Sequence, residues 1–384
     1  MVTTLERPAV SDAFATLKQN YDDRSRAARA AAAGGARVVG RIGNTAPVEL
    51  IVAAGFTPVL IPADGARATP TADIYIEPIV PPETRAMFEA AVTGELEYLE
   101  LLVLTRPYDK LYYYLKEIYR LGRAPALPPM HMLDLMQSQR EAVRAYNWLG
   151  LQKLVKRLER AAGREITEAD LRAAVSVTNR GRALQRAVLA ARAEGRVSGV
   201  EAMQAIGAGY FMAPSDYADV LARYVDDLAA RKPRETGPRL LVVTSEPLQH
   251  LKLHEALEGA GATVVAEDDW WGSRAPGDDI GFAGSALEAI FRKYWLDTPT
   301  ANVNPPEARE AWFERESRRA DIDGVIFYVP PSDLQLGWDH PRLERSLTAR
   351  SMPSILLRQD VTTPAGRKTI DAATAAFLAT LGKS

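Results

Sequence analysis

Five short loops hold most of the side chains able to do chemistry, and each follows an apolar run that reads as a strand. Residues 43–46 bring Asn44 and Thr45, and residues 105–109 bring Tyr108 and Asp109. Residues 244–247 bring Glu246, and residues 268–274 bring Asp268, Asp269, Trp270, Trp271 and Arg274. Residues 329–333 bring Ser332 and Asp333. A carboxylate at a strand end can move a proton, and a tyrosine beside it can donate one or stabilise an oxyanion. Asp109, Asp333 and Tyr108 are therefore the candidate catalytic groups, with Glu246, Asp268 and Asp269 as further acids or bases. Asn44, Thr45, Trp270, Trp271, Arg274 and Ser332 are the candidate substrate-binding groups. Each has a structural competitor: Asp109 and Asp333 could cap the helix that follows. Glu49 reads as the partner of a backbone N–H or an arginine. Two adjacent tryptophans in such a loop form either a lid over a cavity or an interface anchor.

Other signals are weaker. His250 and His254 share a helix face at metal-binding spacing, but no HExxH arrangement surrounds them, so helix-surface or capping roles are the expectation. No GxGxxG follows a strand and no GxxxxGK[ST] occurs, which leaves phosphate-loop nucleotide binding unsupported. Tyr112, Tyr113 and Tyr114 divide more readily between core and surface than they form a stacking platform. Residues 315–319 read as a solvated helix face.

Composition narrows the classes further. The chain has 384 residues, 47 Lys and Arg against 49 Asp and Glu, and no cysteine. A formal net charge of −2 carries no electrostatic footprint for nucleic acid. Zero cysteine excludes disulfides, a thiol nucleophile, thiolate zinc and cysteine-ligated iron–sulfur clusters in this chain, and no residue is assigned as a metal ligand. The first residues lack the apolar core of a signal peptide, and no later run approaches 18 apolar residues. The expectation is a cytoplasmic protein with no membrane partner.

The elements that must position these loops follow from periodicity. A polar, alanine-rich stretch over residues 11–33 predicts a helix stopped by Gly34 and Gly35. Residues 37–43 predict a strand, 47–55 a helix and 57–61 a strand, a βαβ unit that favours a parallel sheet. Residues 99–104 predict a third strand and 110–121 a helix, with 124–130 as a proline-rich connection. Residues 137–232 show helical spacing and no strand signal, with Thr167 as an N-cap. A second βαβ spans residues 240–266, with its helix over 248–257, followed by strands at 324–328 and 354–357 and a closing helix over 369–381. The fold class is thus α/β: two Rossmann-like parallel-sheet domains facing one another, with a helical segment between. The boundaries are 1–36, 37–136, 137–232 and 239–384. Ligands of such sheets bind beyond the carboxyl ends of the strands.

Four segments in register resemble the 2-hydroxyacyl-CoA dehydratase and benzoyl-CoA reductase family. They are "GNTAPVELIVAAG" at residues 43–55, "TRPYDKLYYY" at 105–114, "EGAGATVVAEDDWWGSR" at 258–274 and "DGVIFYVPPSDLQLGWDHP" at 323–341. The match runs from Arg37 onward, and the length is like that of the smaller subunit. In that family paired subunits hold iron–sulfur clusters by cysteines at strand ends, and an ATP-dependent activator supplies an electron to an acyl-CoA thioester. Carried onto this sequence, the cysteine positions fall at Gly43 or Asn44, at Tyr108, at Pro331 or Ser332, and at Trp270.

The resemblance implies a coenzyme A thioester as ligand, with no cofactor bound by cysteine in this chain. It implies one of three roles. The first is a cluster-free subunit in a hetero-oligomer with a homologous, cluster-bearing partner. The second is an independent, iron-free acyl-CoA enzyme, self-associated or not, working through its Asp and Tyr groups. The third is a non-catalytic CoA-ester binding or assembly protein.

Overall fold

The structure is a computed structural model that describes residues 11–62, 64–234, 237–245, 248–297, 306–331 and 333–381. Apolar runs of four to seven residues, each closed by a turn, build two parallel sheets. The first sheet comprises β1 (Val38–Ile42), β2 (Thr57–Leu60), β3 (Leu99–Thr105) and β4 (Met130–Leu133). The helices that follow its strands in the chain are α3 (Val48–Ala53), α4 (Ala72–Tyr75), α5 (Pro82–Val92) and α6 (Asp109–Arg120). Its strand order is β2-β1-β3-β4, every neighbour parallel. Burial on both faces explains the mostly apolar text of β1 and β3, interrupted by Arg41 and Glu100.

Two features differ from the sequence expectation here. The N-terminal helix is two helices, α1 (Asp12–Asp22) and α2 (Arg26–Ala33). The Asp23 carboxylate accepts from the Ser25 hydroxyl at 3.2 Å and competes with the helical ladder. The proline-rich connection ends in edge strand β4, whose Met-His-Met-Leu text has little strand propensity of its own.

The helical segment follows as α7 (Glu141–Ala162), α8 (Glu168–Ala193), α9 (Gly199–Gly207), a single 3₁₀ turn (Ala208–Tyr210) and α10 (Pro214–Ala230). Thr167 caps α8 in a reciprocal box with Asp170, as expected.

The second sheet has β5 (Arg239–Val243), β6 (Thr263–Asp268), β7 (Gly324–Tyr328) and β8 (Ser354–Leu357). The helices that follow its strands in the chain are α11 (Lys252–Gly259), α12 (Ala286–Trp295), α13 (Pro306–Ser317), α14 (Leu334–Thr348) and α15 (Pro364–Leu381). The order β6-β5-β7-β8 repeats the first sheet's arrangement. In each sheet the strand order reverses between the first and third strand, and the crevice at that switch point is where such sheets take ligands. α11 starts later than the sequence suggests, because Leu251 takes a left-handed conformation with φ of 59°.

The packing ties the halves together. Ile290, Phe291 and Tyr294 of α12 belong to one buried cluster with Leu50, Leu101 and Val103 of the first sheet's layer. A larger cluster runs from α1 through α9 and α10 to β5 and β7.

Candidate functional site

The switch point of the first sheet lies between the ends of β1 and β3. Gly43 closes β1 with φ of +93°, a conformation open to glycine at little cost. Thr105 donates to the Ile42 carbonyl at 3.2 Å, and its hydroxyl lies 2.1 Å from where a Gly43 Cβ would stand. The Tyr108 ring closes the same space at 3.4 Å. Tyr108 is half-buried and burial pushes its phenol up to about 12, so it is a proton-bearing group at neutral pH. Asp109 opens α6, where the helix dipole favours a carboxylate, and Tyr108 holds the N-cap position.

The second sheet's switch point is closed differently. Asp333 is buried and caps α14, accepting from Leu336 N at 2.9 Å. It also accepts from Ser245 N at 3.0 Å and from the Ser245 hydroxyl. Its oxygens are committed to tying the β5 loop to α14, the capping role weighed against catalysis. Ser332 and Glu246 lie outside the described residues.

The acidic end of β6 is likewise engaged. Asp268 pairs with Arg274 and, at 3.1 Å, with Arg309. The Arg274 guanidinium lies 4.3 Å over the Trp312 ring, so this arginine is held inside an ion network. Asp269 accepts from Leu248 N at 2.7 Å and from Trp271 N at 3.0 Å. Burial nevertheless lifts its pKa to about 8. Trp271 is fully buried among Tyr21, Tyr210, Phe211 and Trp270, which corrects the expectation of a lid or interface anchor at that residue. Trp270 is half-buried beside it. His254 is buried with Nε2 3.5 Å from Glu267, so His250 and His254 do not present one surface pair.

A cavity of about 120 Å³ opens where both halves meet the helical segment. Arg41 and Asn44 reach it from β1 and its loop, Arg182 from α8, Tyr210 from the 3₁₀ turn, and Lys293 from α12. Ala275, seven residues past the end of β6, lines it from the second half. Tyr210 is the joint: its hydroxyl donates to Trp270 O at 2.7 Å, and its ring lies 5.4 Å from the Arg41 guanidinium carbon. Of the predicted binding residues Asn44 lines this cavity, whereas Thr45, Trp270, Trp271 and Arg274 do not.

The cavity is cationic. Glu49 lies fully buried in the first turn of α3, pairs with Arg182, and accepts from the Tyr294 hydroxyl at 2.9 Å. Burial alone would raise its pKa, but Arg182 outweighs that and holds it below the ordinary range. The sequence expectation for Glu49 is thereby met. Arg41 donates to Gly43 O at 3.3 Å, and its Nε has no acceptor. Lys293 donates to the Asp278 carbonyl at 2.6 Å. Burial pulls both cations' pKa values down. Sequence reasoning missed Arg41, Arg182, Tyr210 and Lys293. One signal was present: Arg41 is a charge inside the apolar strand text Val-Val-Gly-Arg-Ile.

The sequence profile described as "2-hydroxyglutaryl-CoA dehydratase, D-component" matches residues 44–379. The chain belongs to this family. No curated protein matches it.

Membership raises the question of the family's iron–sulfur cluster. A cluster needs thiolates, and this family member has no cysteine. A side chain at Gly43 would collide with Thr105, and Tyr108 occupies the adjoining space. Among the described residues, no group of three His, Cys, Asp or Glu could hold a metal ion. The residues at the family's ligand positions in this chain therefore do not fit a cysteine-held cluster. No helix among the described residues is long and apolar enough to cross a membrane.

Proposed function

We propose that this chain is a cluster-free subunit of a dehydratase- or reductase-type complex in the cytoplasm, shaping a cleft for an acyl-CoA thioester beside a homologous, cluster-bearing partner. The observation that carries the reading is the cavity lined both by Asn44, from the first half's strand-end loop, and by Ala275, from the second half, with Tyr210 of the helical segment also in its wall. Ligands of parallel sheets gather at such crevices. Family membership supports a role in a multi-subunit dehydratase. In this reading Asn44 orients the acyl end, and Tyr108, at the neighbouring end of β3 outside the cavity lining, is a phenolic proton donor rather than a base.

A second reading, an iron-free acid–base enzyme, is favoured by one observation. Asp109 is half-buried beside Tyr108 at a strand end and at a helix N-terminus. Titration of the purified chain with an acyl-CoA thioester, followed by analysis of the recovered ligand, tests both. Binding without conversion supports the subunit reading; turnover lost in Asp109→Asn supports the second. Absence of thioester binding, alone and with the partner, overturns both.

A further inference from the structure

We propose that the cavity at the junction of the two halves is an oxyanion site, taking a carboxylate or a phosphate between Arg41 and Lys293. The inference concerns the cavity of the functional proposal but does not need the thioester.

Three cations line this cavity; Glu49 is the buried carboxylate near them, and the exposed Asp297 and Asp278 also favour the Lys293 cation without pairing with it. Glu49 is committed to Arg182 and Tyr294. Arg41 is 4% exposed, donates to the Gly43 carbonyl and lies against the face of Tyr210. Its Nε is buried without an acceptor. Lys293 is 5% exposed and donates to a main-chain carbonyl. Neither forms an ion pair within the described residues, whereas Arg182, its side chain 11% exposed, and the buried Arg192 and Arg309 each hold a carboxylate. A buried cation is costly unless it is paired, and that cost is recovered when an anion arrives.

The nearby hydroxyls do not supply the anion. Tyr210 donates to Trp270 O, Tyr217 to Ala205 O at 3.1 Å, and Tyr294 to Glu49. Burial raises the pKa of all three, which keeps them neutral. A guanidinium presents its N–H groups in a planar fork that suits a two-oxygen acceptor, and an ammonium adds a point charge. Arg41 and Lys293 together therefore select an oxyanion over a single-atom ion.

The test uses the full chain, with inorganic phosphate and malonate as probes and sodium chloride at matched ionic strength as control. Calorimetry and thermal melting are read on wild type, Arg41→Met and Lys293→Met. The expected result is binding of at least one probe beyond the chloride effect, weakened about tenfold or more in each variant. Arg41→Met should also melt higher than wild type without ligand, because it removes an unpaired buried charge. A purely structural Arg41 would instead give a lower melting temperature and unchanged anion binding. Should Arg41→Met fail to fold, Lys293→Met decides. The proposal is overturned if neither probe differs from chloride, or if the folded variants bind as wild type does. Anion binding without thioester binding leaves this inference standing and removes the functional one.

Discussion

The guanidinium of Arg41 stands 5.4 Å from the ring centroid of Tyr210, joining the central strand of the first sheet to the 3₁₀ turn of the helical layer. The same tyrosine donates to Trp270 O at 2.7 Å, which carries the link to the second sheet. Three segments distant in sequence thereby meet at one side chain. Tyr210→Phe keeps the ring over Arg41 and deletes the hydrogen bond. It should cost about 1 kcal/mol in chemical denaturation. An unchanged midpoint would show that the hydroxyl does not hold the halves together.

Glu49 answers Arg182 in a buried ion pair, and Tyr294 secures its other oxygen. Removing one member of such a pair leaves the other charged and buried. Glu49→Ala should destabilise the chain by about 3–5 kcal/mol, read from urea unfolding. A loss below about 1 kcal/mol, the size of a surface pair, would contradict this placement.

Burial lifts Asp269 to about 8 from an ordinary value of 3.8. The folded state thus binds a proton that the unfolded state releases near pH 4. The stability this group contributes is fully present below its unfolded value and is lost as pH rises toward about 8. Asp269→Asn removes the titration. The difference in unfolding free energy, wild type minus variant, should fall by up to about 1.4 kcal/mol per pH unit between about pH 5 and about pH 7. The difference cancels the opposing contribution of His131 and His250, both held near 4 by burial. A pH-independent difference would contradict a protonated Asp269.

Gly207 ends α9 against two aromatic rings. A Cβ there would stand 2.5 Å from Trp271 Nε1 and 2.6 Å from the Tyr21 ring. Gly207→Ala should cost about 1–3 kcal/mol through overpacking and shift the near-ultraviolet dichroism of the tryptophans. Retention of both stability and spectrum would mean that the aromatic cluster yields freely.

Strands β1, β3, β7 and β8 were legible because each is a short apolar run bounded by Gly, Pro or charge. Parallel pairing buries both faces and makes that text continuous. β4 was not legible: Met130–Leu133 borrows its strand character from the β3 edge it completes. The α1–α2 break turned on one Asp–Ser side-chain contact, which periodicity does not register. At the site, loop topology located the strand ends, Asn44 and the role of Glu49. It could not reveal that Ser245, 88 residues away, also occupies Asp333, or that Asp268 holds both the nearby Arg274 and the distant Arg309. Arg182 and Lys293 escaped notice because they come from helices whose polar residues read as solvent-facing. Only the packing of α8 and α12 on the first half turns them inward.

In the proposed function, a chain without cluster ligands works beside one that has them. Native mass spectrometry of the complex isolated from the chain's own cells, with iron counted per subunit, tests it most directly. The expected result is a hetero-oligomer with a cysteine-bearing homologue, all iron leaving with that partner when the subunits are separated. A stable monomer or homo-oligomer with no homologous partner, or iron retained on this chain, would contradict it.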